Sequence, residues 1–192
     1  MKKTMTTILL SALCMFSYSQ QTDSTKQEQI KESEIICKSV DEFTDEVDFY
    51  ADGSILYKDG GDMKTQGIVL QLFLKQKKGK LQAGTLYLKV AGMRGCIDEG
   101  STLIVMFENG EKTTLVNWNS FNCKGTNYFS ISDKLELFKN NKIKAIKYTN
   151  TKTYESMVVK DNINSSNESF IMDMLSEIDK INSGELTTGI CK

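Results

Sequence analysis

Histidine and proline are both absent from the 192 residues. Without an imidazole, Ser-His-Asp and Cys-His mechanisms are excluded, and most catalytic zinc sites lose their ligands. Without proline, tight turns must rest on Gly, Asn and Asp. The chain also has no Cys-x-x-Cys pair, no glycine-rich phosphate loop ahead of a helix and no dinucleotide fingerprint. No cofactor is therefore expected. Net charge is close to nil, with 24 Lys+Arg against 25 Asp+Glu, so no global field draws the protein to nucleic acid or membrane. Nucleic acid is further disfavoured because lysines with a single arginine, Arg94, and no stacking platform make no base-reading surface.

Long apolar runs are missing as well. The one at residues 5–16 follows Lys2 and Lys3 and precedes Ser17-Tyr18-Ser19. It falls short of the ~20 residues of a transmembrane helix and reads as a signal peptide over 1–19, cut after Ser19. A lipid anchor on Cys14 is the weaker alternative, since Leu13 stands where lipoprotein processing wants a small residue. No membrane span follows. The mature chain is expected to be secreted or periplasmic.

What is present is β-rich. Apolar content of 40% and charged content of 26% are ordinary for a globular protein, and the length suits one domain. Residues 20–40 are polar and read as a flexible leader, with a frayed helix near 27–35. Strands follow at 47–50, 55–57, 67–74 and 85–91. The strongest local signal is Asn109-Gly110, flanked by 101–108 and 111–118. Both central residues of a type I′ turn need φ > 0, which Asn and Gly tolerate best. A two-residue loop puts Glu108 opposite Glu111, Val105 opposite Thr114 and Leu103 opposite Val116. Leu103, Val105, Phe107, Val116 and Trp118 then share one face.

The same register, carried outward, sets Cys96 opposite Cys123. Directly opposed antiparallel residues have Cα atoms about 4.5–5.5 Å apart, inside the disulfide window. Cys37–Cys191 follows by elimination, and an even cysteine count suits an exported chain. Further on, 128–131 reads as a strand and Ser132-Asp133 as the cap of a short helix. Residues 142–148 and 154–159 form a hairpin. Apolar residues from Phe170 to Ile181 recur at helical spacing in a helix starting near Ser165, and 183–192 is a tail. The expected architecture is mainly β or α+β. It is an antiparallel meander over 41–182, sandwich-like or a small barrel, with a C-terminal amphipathic helix packed on it.

Carboxylates are the surviving route to catalysis. A glycosidase needs two carboxyls on either side of a sugar bond. Asp48, Asp52, Asp98, Glu99, Glu108 and Glu111 are candidates, although charges at hairpin tips ordinarily serve solubility. Asp59-Gly-Gly-Asp62 with Asp52 has oxygen ligands for calcium, but tight turns want the same residues. Residues 20–62 carry 12 acids and 4 bases, and 63–155 carry 15 bases and 7 acids. These are neighbouring segments that neutralise each other, or a basic sheet for an anionic partner. Trp118, Asn119, Phe121, Asn122 and Tyr128 are the binding candidates. An aromatic beside amides can stack on and hydrogen-bond a sugar, although a lone Trp at a strand end is more often core. The function expected is non-catalytic binding of an envelope ligand, glycan or protein partner, inhibitor- or immunity-like in one version. A carboxylate-dependent hydrolase and a structural envelope component are the alternatives.

Overall fold

Among the described residues alternating apolar positions build eleven strands, and helical spacing builds two α-helices. The computed structural model describes residues 30–51, 55–58, 67–91, 96–160, 163 and 165–191. The signal peptide expected at 1–19, the first part of the leader expected at 20–40, Asp52 and the Asp59–Asp62 turn lie outside these residues. The strands are β1 (Lys31–Asp41), β2 (Glu46–Ala51), β3 (Ile55–Lys58), β4 (Gly67–Lys77), β5 (Lys80–Ala91), β6 (Thr102–Phe107), β7 (Lys112–Val116), β8 (Thr126–Ser130), β9 (Ile143–Thr149), β10 (Ser156–Val159) and β11 (Leu186–Ile190). Helix α1 spans Leu135–Asn140 and α2 spans Ser165–Ser183.

Among the described residues the strands form two sheets rather than one closed barrel. The larger runs β11-β1-β2-β4-β5-β8, with β3 paired to β4 beyond the end of β2, and the smaller runs β10-β9-β6-β7. All pairings are antiparallel except β1 with β11. On β4 and β5, Ile68, Leu70, Leu72, Leu74, Leu86 and Leu88 point inward and are buried. They meet Leu103, Val105, Phe107, Leu115 and Tyr148 of the smaller sheet in one cluster. Each such side chain contributes about 1.5–3 kcal/mol by leaving water. Helix α2 adds Phe170, Ile171, Met174, Leu175 and Ile178 to the same core. It ends in a Schellman motif: Gly184 takes φ +83°, and Glu185 and Gly184 donate to the carbonyls of Lys180 and Ile181.

Several expectations are corrected. The supposed leader is strand from Lys31 onward, because β1 is held between β2 and the C-terminal β11. Residues 183–192 are likewise not a loose tail, since β11 occupies most of them. Ser132 does not cap a helix side-on; its hydroxyl accepts the Gly84 N–H at 3.1 Å, and a 3-10 turn leads into α1. Gly84 is required there. A Cβ at that position would lie 2.9 Å from Ile131 Cγ1.

The central hairpin is shifted by one residue. Val105 pairs with Thr113 and Leu103 with Leu115. The loop has three residues: Gly110 N–H donates to Phe107 O and Phe107 N–H to Glu111 O. Gly110 alone takes φ > 0 there, at +89°, which is the three-residue solution with its glycine bulge rather than type I′. The primed two-residue turn is instead Lys78-Gly79, with φ of 50° and 73°. A one-residue slip exchanges the faces of a strand, so Leu115 is buried while Val116 is 56% exposed. Glu108 and Glu111 do not face each other.

Both cysteine pairs nevertheless form. Cys96–Cys123 has a Cα separation of 4.1 Å and Cys37–Cys191 one of 4.9 Å. The strand after β7 carries one more residue than its partner between the Ser101–Asn117 and Ile97–Asn122 pairings. That extra residue cancels the slip in the loop and brings Cys96 back opposite Cys123. A second bulge in β9 pairs Met106 with Ala145 and Phe107 with Ile143. It turns Ile143, Ile146 and Tyr148 to one face, where all are buried, although strict alternation would divide them.

Candidate functional site: an aromatic strip on the outer sheet face

The outward positions of the larger sheet carry rings. Tyr50 on β2 is paired directly with Phe73 on β4, and Tyr87 on β5 with Tyr128 on β8. Phe73 and Tyr87 are diagonal neighbours. Ring centroids are 5.2 Å apart for Tyr50–Phe73, 6.1 Å for Phe73–Tyr87 and 5.4 Å for Tyr87–Tyr128, all edge-to-face. Trp118 extends the series, 5.3 Å from Tyr128 with ring planes 35° apart. The five rings cross five adjacent strand positions, about 19 Å at ~4.8 Å per strand. None belongs to the core cluster.

Trp118 reaches this face because its strand changes sheets. Beyond β7 the chain leaves the smaller sheet and lies along β8. Asn117 bridges to Phe129, and Trp118 N–H donates to Tyr128 O at 3.1 Å. The fully buried Asn117 fixes the crossing. Its Oδ1 accepts from Tyr128 N–H at 2.8 Å and Asn119 N–H at 3.3 Å. Its Nδ2 donates to Asp98 O at 3.1 Å and Asn119 O at 3.2 Å. All four bonding positions of the amide are used. Beneath it, Tyr148 Oη donates to Asn127 Oδ1 at 3.1 Å, and burial pushes the Tyr148 phenol up.

The binding candidates separate accordingly. Trp118 is 57% exposed rather than core and stands beside Tyr128. Asn119 and Asn122 direct their Nδ2 groups to Thr126 O, at 3.4 and 2.9 Å, and so shape the loop. Phe121, 54% exposed, lies outside the strip with the Lys152 ammonium 5.5 Å from its ring centre. Tyr50, Phe73 and Tyr87 went unrecognised as site residues. Their only trace is an aromatic at alternate positions among leucines, as at Phe73 between Leu72 and Leu74.

A shallow groove of about 280 Å³ runs along the strip, bounded by Asp48, Tyr50, Phe73, Lys75, Trp118 and Tyr128. Asp48 and Lys75 on its rim belong to a charge ladder. Glu46 is paired with Lys77 and Asp48 with Lys75 across β2 and β4. Lys75 Nζ lies 3.0 Å from Glu46 and 3.8 Å from Asp48, and Lys77 Nζ 3.3 Å from Glu46. The two ammonium groups hold the Glu46 carboxyl below the usual carboxylate range, and Glu46 and then Asp48 push Lys75 up. Burial and then the adjacent Asp48 push the Tyr50 phenol up, keeping it a donor.

The other acids lie elsewhere. Glu111 bonds to Asn109 at the exposed hairpin tip, Glu108 is exposed at the same tip, Asp98 pairs with Lys152 at 3.6 Å, and Glu99 is exposed on the adjoining turn. No helix among the described residues is long and apolar enough to cross a membrane. No family model, curated protein or solved structure matches this chain.

Proposed function

We propose that this is an exported, non-catalytic domain that binds a glycan by stacking sugar rings on the aromatic strip of its larger sheet. The observation that carries the reading is the outward row Tyr50, Phe73, Tyr87, Tyr128 and Trp118. Rings on the solvent side of a sheet contribute less to folding than rings in the core, and a contiguous exposed apolar patch marks a binding surface. Sugars offer C–H faces to such rings and hydroxyl edges to polar groups beside them. The Tyr50 hydroxyl, Asp48 and Lys75 stand at the edge of the groove for that second role. The length of the strip suits an oligosaccharide better than a single ring. Export is supported by the two disulfides, which persist in oxidising compartments. A glycosidase needs two carboxyls at the bond it cuts, and among the described residues lining the groove Asp48 is the only one.

The chain contains a single tryptophan, and it lies in the proposed site. Titration with a panel of neutral oligosaccharides should therefore shift the intrinsic tryptophan emission saturably, and Trp118→Ala should abolish glycan retention. A panel that leaves the emission unchanged, or retention that survives Trp118→Ala, overturns the reading.

A further inference from the structure

Neighbouring rings of the strip cannot all serve a sugar in the same way. The planes of Tyr50 and Phe73 stand 79° apart, those of Phe73 and Tyr87 89°, and those of Tyr87 and Tyr128 69°. Two rings near a right angle cannot both lie flat beneath one ribbon of sugars. Trp118 and Tyr128 are the exception, with 35° between them, and together make one broad platform. The groove divides the rings in a matching way. Of the described rings in the strip, Tyr87 alone does not line it, although Tyr87 stands between Phe73 and Tyr128. The small side chains of Ala83 and Thr85 line it from the same strand instead. Phe73 on β4 and the Trp118–Tyr128 pair at β8 are therefore separate platforms, with an unused position between them. They lie two strand positions apart, about 10 Å at ~4.8 Å per strand. Tyr50, nearly at right angles to Phe73, closes the groove as an end wall.

We propose that the ligand of this groove is an extended β-1,4-linked glycan whose alternate sugars stack on the two platforms, a specificity that rests on the glycan reading above. Linkage decides what a chain offers to two platforms in line. A β-1,4 chain joined by equatorial bonds at opposite ends of each ring is a two-fold ribbon. Each unit is turned over relative to the last, so the same face returns at every second unit. That repeat suits two stacking positions with a gap between them. α-1,4 and β-1,3 chains coil, and their sugar faces turn away from a straight row.

The test is a titration of the oxidised protein, read by Trp118 emission, with oligomers of two to five units. The probes are β-1,4-linked glucose, β-1,4-linked N-acetylglucosamine, α-1,4-linked glucose and β-1,3-linked glucose. At least one β-1,4 series should tighten at least tenfold from disaccharide to trisaccharide, where the second platform is first reached. The next unit should add less than threefold. The α-1,4 and β-1,3 series should bind at least tenfold more weakly from the trisaccharide upward. Phe73→Ala should remove the step and leave the trisaccharide at the affinity of the disaccharide. Equal or tighter binding of a coiled series, affinity that grows evenly with each unit, or a step that survives Phe73→Ala would overturn the proposal and leave the glycan reading standing. No binding by any series would overturn both. The four series on the unaltered protein decide the matter even if Phe73→Ala fails to fold.

Discussion

The two sheets share one core but present different outer faces. Outward positions of the larger sheet carry Tyr50, Phe73, Tyr87 and Tyr128, edged by a ladder of paired charges. Outward positions of the smaller sheet carry Lys112, Thr114, Val116, Lys144, Lys147 and Val158, and no ring. Both inner faces are apolar in the same way, because burial requires it. Folding demands little of an outer face beyond β propensity and solubility, and the smaller sheet satisfies that with lysine, threonine and valine around the aliphatic Ile104 and Met106 of β6. The rings of the larger sheet exceed that demand, which makes them informative about function.

The largest effect should come from setting the two faces of one strand against each other. Leu72→Ala empties a core position and should lower stability by about 2–5 kcal/mol. Phe73→Ala, next in sequence but outward, should lower it by less than about 1.5 kcal/mol; chemical denaturation of both variants measures the difference. The next effect concerns affinity. Trp118→Ala should weaken glycan binding by about 2 kcal/mol or more, as loss of an exposed aromatic anchor does. Lys147→Ala on the smaller sheet should leave calorimetric affinity unchanged. Smaller still is the effect of giving the other sheet a ring. Thr114→Trp should change stability by no more than about 0.5 kcal/mol and should create no glycan retention. An isolated ring there has no neighbour to extend it.

The smallest effect is electrostatic. Lys75 and Lys77 depress Glu46, so its pairing stabilises the fold above the unfolded value of about 4.3. That contribution is lost as pH falls through the lower folded value. Glu46→Gln should therefore flatten the acid side of the melting-temperature profile below about pH 4.3. Removing the Lys147 ammonium should leave that limb as it is.

Much of the fold was legible because its causes are local. Alternation located β4 to β7 and β9, helical spacing located α2, and Asn109-Gly110 marked a bend. The register at that bend was not legible. Two- and three-residue loops both suit an Asn-Gly pair, and one residue decides which face is buried. Cys96 opposite Cys123 emerged correctly only because a second irregularity reversed the first. β1 was missed because a single residue, Ile36, is its buried apolar anchor, and its β11 partner lies at the far end of the chain. The site was the least legible part. Trp118 and Tyr128 stood out as binding candidates, but the strip exists only through the order β2-β4-β5-β8, which skips β3 of the same sheet and β6 and β7 of the other. No local pattern announces that Tyr50 will lie beside Phe73.

The Cys37–Cys191 bond has a practical consequence for experiments on this molecule. It makes nearly the whole folded chain a covalent ring. A protease that nicks one peptide bond anywhere between those residues leaves the fragments tethered. Non-reducing electrophoresis would then report an intact mass for a cleaved protein, so limited-proteolysis maps of this protein must be run with and without reductant.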